Sequence, residues 1–253
     1  MAGTHILGID IGGSGIKGAP VDLDKGELAA ERERIDTPEG AAPEDVLEVV
    51  AQVVERFADA VAPGSPVGIT IPAVVRGGVV RSAANIDASW IGTDADEMFT
   101  RRLDRPVHVV NDADAAGVAE MHYGAGVGEK GVVLLTTLGT GIGSALFTDG
   151  VLVPNTELGH LEIDGHDAET RAASSVKVEE DLSWKEWAER LQVYYSTIEK
   201  LFSPDLIIVG GGVSRKADKF LPRLDLHARI VPAQLRNSAG IVGAAWYALA
   251  EEG

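Results

Sequence analysis

Three observations predict an α/β protein built from two similar lobes. Short apolar runs alternate with amphipathic helical patterns along the chain. One stretch recurs: DIGGSGIKGAPVD at 10–22 and TLGTGIGSALFTD at 137–149 superpose at an offset of 127, half the chain length. The composition suits a large buried core, with 253 residues of which 45% are hydrophobic, 24% charged and 5% aromatic.

Strands come first. Ile6–Ile11, Val67–Ile71, Val107–Val110, Val132–Leu138 and Leu206–Val209 have strand length, are bounded by Gly, Pro or Asp, and are apolar on both faces. That pattern predicts central strands covered by helices on both sides. In each copy of the repeat an apolar strand meets a glycine turn, and a second strand then ends at Asp22 or Asp149. Each lobe should therefore begin with a β-hairpin. Helices follow. Val46, Leu47, Val50, Val53, Val54, Phe57 and Val61 recur at three- and four-residue spacing, predicting a helix over 43–62. A second is expected over 93–103 with Thr93 as its cap, and a third over about 112–121. A fourth begins at Ser183, which has capping-box spacing to Glu186, and runs to about Phe202. The last spans about 238–250. Trp184, Trp187, Tyr194 and Tyr195 make a packed aromatic face on the fourth helix, with a subunit interface as one place for it, and Trp90 is expected in the core.

Charge and composition remove several functions. A net charge of −17 disfavours nucleic acid and anionic membranes unless a local basic region overrides it. With no cysteine, disulfides, thiolate zinc sites and cysteine nucleophiles are excluded. The opening MAGTHILGID has no basic region before its apolar run, so no secretory signal is expected. The longest uncharged stretch, 131–148, carries four Gly and four Thr and is too polar to span a bilayer. A cytoplasmic protein is the expectation.

Five motifs carry chemistry, each with a plain structural alternative. Gly12-Gly13-Ser14-Gly15, between Asp10 and Lys17, lets backbone N–H groups approach a phosphate, or is an ordinary hairpin turn. Thr137, Gly139, Thr140 and Gly141 have the same double reading. Gly210, Gly211 and Gly212 close a strand and leave a flat wall for a planar group, or make a tight strand-to-helix turn. Asn111-Asp112 ends a strand where a general base is well placed, although Asp112 or Asp114 also suits a helix N-cap. Glu157-Leu158-Gly159-His160 fits recognition of a hydroxylated ligand, or is a surface loop. As a metal site, His160, Glu162, Asp164 and His166 form no closed tetrahedral set.

Together, GIDIGGSGIKG at 8–18, NDAD at 111–114, LGTGIG at 138–143, ELGH at 157–160 and IVGGGVS at 208–214 resemble the sugar kinases of the ROK family, in order and across essentially the whole chain. Within it, GSGIKGAPVD at 13–22 and PNTELGHLEIDG at 154–165 are most similar to the short polyphosphate glucokinases, including the polyphosphate/ATP-glucomannokinases. The resemblance implies an actin-like (ribonuclease H-like) hexokinase fold with a cleft between duplicated lobes. A smaller lobe would span 1–111, with the helix at about 238–253 packing back on it, and a larger one 112–237. It implies Asp112 as the catalytic base. Asn85, Asn111, Asp112, Glu157, His160 and Glu169 would bind the sugar. The donor phosphates would meet Asp10, Gly12, Gly13, Ser14, Lys17, Thr137, Gly139, Thr140 and Gly141, with Gly210, Gly211 and Gly212 near the nucleoside and magnesium near Asp10.

Most of the family carries a zinc-binding cysteine cluster after ExGH. Here it is absent, as in the polyphosphate glucokinases, so no zinc is expected. Only about five residues precede the first strand, so the DNA-binding role of the family's repressors is not expected. The resemblance implies transfer of a phosphoryl group from polyphosphate, and from ATP, to the 6-hydroxyl of glucose or mannose by a homodimer. An ATP-only hexose kinase and a silent sugar sensor are the alternatives. A polyphosphate user of this acidity needs a basic track, for which Lys17, Arg76, Arg81, Arg101, Arg102 and Arg105 are candidates.

Overall fold

The computed structural model describes residues 5–83 and 86–253, so Asn85 lies outside the described residues. The chain sorts into two compact units: one runs to Ala119 and takes in Ser238–Gly253, the other is Glu120–Asn237.

In the first unit, β1 (His5–Gly12) and β2 (Gly15–Asp22) form an antiparallel hairpin, extended by the short β3 (Glu27–Leu28) and β4 (Glu33–Ile35). Helix α1 (Pro43–Arg56) leads to β5 (Val67–Ile71), then a small ribbon of β6 (Val75–Arg76) and β7 (Val79–Val80), α2 (Ala95–Leu103), β8 (Val107–Asn111) and α3 (Asp112–Tyr123). The sheet order is β3-β2-β1-β5-β8 with β4 on β2, and β1, β5 and β8 run parallel. The predicted double covering is present. Gly18 on β2 lies against Val53 of α1, and Gly8 on β1 lies against the Ile241 carbonyl of the last helix, α7 (Ala239–Glu251). Trp90 is fully buried, donates its Nε1 to the Ala41 carbonyl at 2.8 Å and stacks on Phe99.

The second unit repeats the plan. A hairpin of β9 (Val132–Leu138) and β10 (Ile142–Thr148) is followed by β11 (Val151–Val153), the β12 (Glu162–Ile163)–β13 (His166–Asp167) ribbon, α4 (Glu169–Ala172), α5 (Ser174–Glu179), α6 (Trp184–Phe202), β14 (Leu206–Gly210) and β15 (Arg229–Pro232). Its sheet order, β11-β10-β9-β14-β15, matches β3-β2-β1-β5-β8 strand for strand, with β9, β14 and β15 parallel. The internal repeat is thus a repeat of topology.

Four expectations shift. Helix α1 ends at Arg56 and leaves through tight turns at Phe57 and Ala60. Asp94, not Thr93, caps α2, its Oδ1 accepting Glu97 N at 2.9 Å. Asn111 caps α3. Trp187, Tyr194 and Tyr195 face no subunit interface; they are buried in the second unit's own core with Leu134, Ile207 and Phe220, and Trp184 packs against that cluster. The Tyr195 hydroxyl lies 2.8 Å from Thr136 Oγ1, and the predicted Ser183–Glu186 capping box is formed.

The boundary between units falls inside α3, because its first turns pack on α7, where Gly243 meets the Ala115 carbonyl. Just beyond, the fully buried Glu120 carboxylate accepts N–H bonds from Ala125, Gln234 and Leu235 at 2.7–2.8 Å. Three donors offset the cost of burying that charge. Among the described residues, no helix is long and apolar enough to cross a membrane.

Candidate active site

The candidate residues of the first unit gather at the carboxyl ends of β1, β5 and β8. Register places Asp10, Thr70 and Val110 in one row across the three strands, with Asn111 and Asp112 next along the chain. Asp10 accepts a hydrogen bond from Thr70 Oγ1 at 2.9 Å and pairs with its cross-strand neighbour Lys17 at 3.4 Å. Beyond it, Gly13 and Ser14 form the tip of the β1–β2 hairpin. The carbonyls of this turn are held from outside: Arg34 Nη2 donates to Ser14 O at 2.7 Å, and Thr37 Oγ1 donates to Gly12 O at 2.5 Å.

Asn111 is largely committed to structure. Its Oδ1 accepts from Ala113 N and Asp114 N at 2.9 and 3.1 Å, capping α3, and its Nδ2 donates to Ala73 O at 3.1 Å. With two acceptor bonds and one donor bond made, one amide hydrogen is left over for a ligand. Asn111 alone reaches Asp114 N, so the cap is its work, and Asp112 shares only the Ala113 N–H with it. Asp112 is half-buried at the first position of α3, and its Oδ1 also accepts from Ala113 N at 2.9 Å.

In the second unit Thr137 ends β9, and Gly139, Thr140 and Gly141 make the matching turn. Two of its carbonyls are again occupied by side chains from elsewhere, and Gly141 O accepts from Gly139 N at 3.0 Å. Ser174 Oγ donates to Gly139 O at 3.0 Å, and Ser175 Oγ donates to Thr140 O at 2.7 Å. The third glycine cluster adjoins this turn, with Gly210 in register with Thr137. Gly211 has φ +80°, and an added Cβ would lie 2.4 Å from the Leu138 carbonyl, so only glycine suits both the backbone and the approach. The chain then enters a 3₁₀ helix, Gly212–Lys219, closed by Ser214 Oγ donating to Gly211 O at 2.8 Å. The cluster is thus a strand-to-helix turn that adjoins the second glycine turn.

Glu157 precedes a short 3₁₀ turn, Leu158–His160, with more order than the irregular loop expected. Glu169 ties this turn to the second glycine loop. Its Oε2 accepts Ile142 N at 3.0 Å beside Gly141 and Gly159, and its Oε1 lies 3.7 Å from His160 Nδ1. His160 Nδ1 is also 3.2 Å from Asp167 Oδ2. Burial holds the Glu157 carboxyl above its usual range, helped by the nearby Glu169 and opposed by His160. For His160, burial would lower the pKa, but the Asp167 hydrogen bond and the charges of Glu169, Asp167 and Glu157 outweigh it and raise it. A raised imidazole pKa contributes stability that is complete below the unfolded value of 6.5 and lost as pH rises through the folded value. The expected result is a His160 ring signal that titrates above 6.5 by NMR and moves down in Asp167→Asn. Titration at or below 6.5 in the parent would show that burial wins.

Each unit therefore assembles its share of the predicted site residues. The supporting side chains were not foreseen. Arg34, Thr37, Ser174 and Ser175 hold the turn carbonyls, and Thr70 steadies Asp10; the only sequence signal for them is a hydroxyl or guanidinium in otherwise plain segments. Of the candidate basic track, Arg102 is locked by Glu48 with two 2.8 Å bonds, Arg101 pairs with Glu97 at 3.5 Å, and the Arg105 Nε is buried. Arg76 and Arg81 are exposed. No three His, Asp or Glu side chains converge as a metal site among the described residues.

The chain is 51% identical to the polyphosphate glucokinase of Mycobacterium tuberculosis over 98% of its own length and 92% of that protein's. The polyphosphate glucokinase of Mycobacterium leprae is 50% identical over 97% of this chain and 75% of its own. Among solved structures, the inorganic polyphosphate/ATP-glucomannokinase of Arthrobacter sp. strain KM superposes with a TM-score of 0.94 at 58% identity, covering 98% of this chain and 99% of that one. A ROK family glucokinase from Streptomyces griseus shares the fold at 24% identity and a TM-score of 0.84. The ROK family model matches residues 6–174, and the chain belongs to the ROK family.

Proposed function

We propose that this protein is a polyphosphate glucokinase, transferring a phosphoryl group from inorganic polyphosphate, and also from ATP, to the 6-hydroxyl of glucose. The observation that carries this reading is the pair of glycine hairpin turns, one per unit, each with two carbonyls drawn off by side chains from elsewhere in the same unit. Carbonyls held in this way turn away from an incoming anion, and the turn N–H groups not already bonded within the turn, as Gly139 N is to Gly141 O, are the ones to serve it. The relatives supply the donor, being named for polyphosphate.

In the reaction, Asp112 at the strand end accepts the proton of the sugar hydroxyl and orients its attack. Glu157, His160 and the spare amide hydrogen of Asn111 bind the other hydroxyls, and Glu169 fixes the turn that carries His160. Lys17 and the two turns offset phosphate charge. One accessible carboxylate without a cage suits magnesium, which keeps most of its ligands from water and phosphate. Asp10 would hold it, and the ion would neutralise charge on the donor phosphates. Mannose is a second acceptor in this reading, as the name of the Arthrobacter enzyme suggests. We also place the protein in the cytoplasm as a homodimer.

The test is a coupled assay for hexose 6-phosphate with polyphosphate or ATP as donor and glucose or mannose as acceptor. Activity with ATP alone would leave an ATP-dependent hexose kinase, and none with either donor would leave a sugar-binding sensor. A long polyanion meeting a protein of net charge −17 must rely on local cations, so its kcat/KM should fall more steeply with salt than that for ATP. Equal slopes at fixed free magnesium would reject the basic-track account while leaving the function.

A further inference from the structure

The chain is acidic overall, yet residues 210–236 carry six Lys or Arg side chains against two Asp. The stretch 74–105, which holds most of the basic residues first considered for a track, balances five Arg against five acidic residues. The basic stretch begins at the glycine wall. Arg215, Lys216 and Lys219 lie on the 3₁₀ helix that leaves Gly211, Arg223 lies on the next short turn (Leu221–Arg223), and Arg229 and Arg236 lie on and after β15. All six are exposed. The helix packs against β9, β14 and β15, so Arg215, Lys216 and Lys219 follow the glycine wall directly on an element held to the second unit's sheet, with Arg236 just past the end of β15.

Most of these charges are uncompensated. Among the described residues, Lys219 pairs only with its neighbour Asp218 and Arg229 pairs with Glu129, while Arg215, Lys216, Arg223 and Arg236 have no carboxylate within reach. Arg229, Gln234 and Arg236 line an open cavity of about 610 Å³ beside β15. Surface cations are ordinarily interspersed with acids, and an unpaired row of them in a protein of this charge raises the local concentration of anions. On the polyphosphate reading, a donor seated at the glycine wall and longer than a few phosphates must continue along the neighbouring surface.

We propose that the exposed basic face of residues 215–236 is the track that holds the polyphosphate chain beyond the transferred group. This rests on the polyphosphate reading above and names the surface that reading requires. The track gives chain length its effect, since long polymers reach Arg223 and Arg236, whereas tripolyphosphate and ATP stop near the glycine wall.

Two double variants test it, Arg215→Gln with Lys216→Gln and Arg223→Gln with Arg236→Gln. All four positions are exposed, so both proteins should fold. In the Arg223/Arg236 variant, KM for long-chain polyphosphate should rise about tenfold and its salt dependence should flatten, while tripolyphosphate and ATP change by less than about twofold. The Arg215/Lys216 variant should also affect tripolyphosphate. A parent protein inactive with every polyphosphate would overturn the proposed donor. Parent activity with both variants unchanged would overturn the track and leave the donor. An equal loss with all donors, ATP included, would place these residues at the transfer site and also overturn the track.

Discussion

Asp112→Asn is expected to lower kcat by about 10²–10⁴-fold, the usual contribution of a general base, while sugar affinity stays close to that of the parent. The substitution keeps the shape and removes the proton acceptor. It should not unfold the site, because Asn111 caps α3 with bonds to Ala113 N and Asp114 N. What is lost structurally is a negative charge in the first turn of a helix, about 0.3–1 kcal/mol. Sugar binding measured by calorimetry separates the two roles: kcat should collapse with the sugar Kd within a few-fold. Near-normal turnover would mean that Asp112 serves the helix alone, and the proton would need another acceptor.

Gly243→Ala should give the largest loss of stability among single methyl additions. An added Cβ would sit 1.7 Å from the Ala115 carbonyl oxygen, and neither backbone can yield cheaply. Gly8 and Gly68 meet α7 in the same way, at 2.0 Å from the Ile241 carbonyl and 1.8 Å from the Ala244 carbonyl. The helix therefore lies on the sheet and on α3 at glycine distance along its buried length. Overpacking a core typically costs about 1–3 kcal/mol, and a clash with backbone belongs at the upper end. Alanine regains up to about 1 kcal/mol of helix propensity, leaving about 2 kcal/mol net. Denaturant unfolding should show a lower midpoint at unchanged slope. Because Ala115 lies one turn beyond Asp112, kcat should fall as well. A variant as stable as the parent would show that α7 can move outward without cost.

Much of the fold was legible because local pattern carries it. Apolar runs bounded by Gly, Pro and Asp became β1, β5, β8, β9 and β14, and the offset-127 repeat became two sheets of the same strand order. The Ser183–Glu186 spacing became a formed capping box, since both bonds lie within one turn of chain. Elements whose limits depend on competition between neighbours were less legible. Thr93 and Asp94 are adjacent candidates for one cap, and Asn111, Asp112 and Asp114 for another; side-chain geometry at the helix start decides between them.

The sequence by itself determined the α/β class, the duplication, the family and the residue types at the strand ends, all of which depend on hydrophobic period or on motifs a few residues long. Only the tertiary structure decided what supports those residues. Arg34 reaches Ser14 across 20 positions, Thr37 reaches Gly12 across 25, and Ser175 reaches Thr140 across 35. Glu169 joins Ile142 to the His160 turn, and Thr70 meets Asp10 because β1 and β5 pair in that register. Tertiary structure also placed the packed aromatic face of α6 in the second unit's own core, and separated arginines paired with a carboxylate, such as Arg102, from ones with none among the described residues, such as Arg223 and Arg236. The reason is common to all of these. A hydrogen bond or ion pair between distant residues depends on sheet register and packing direction, which a one-dimensional pattern does not encode, whereas a turn, a cap or a strand depends on neighbours already joined by the chain.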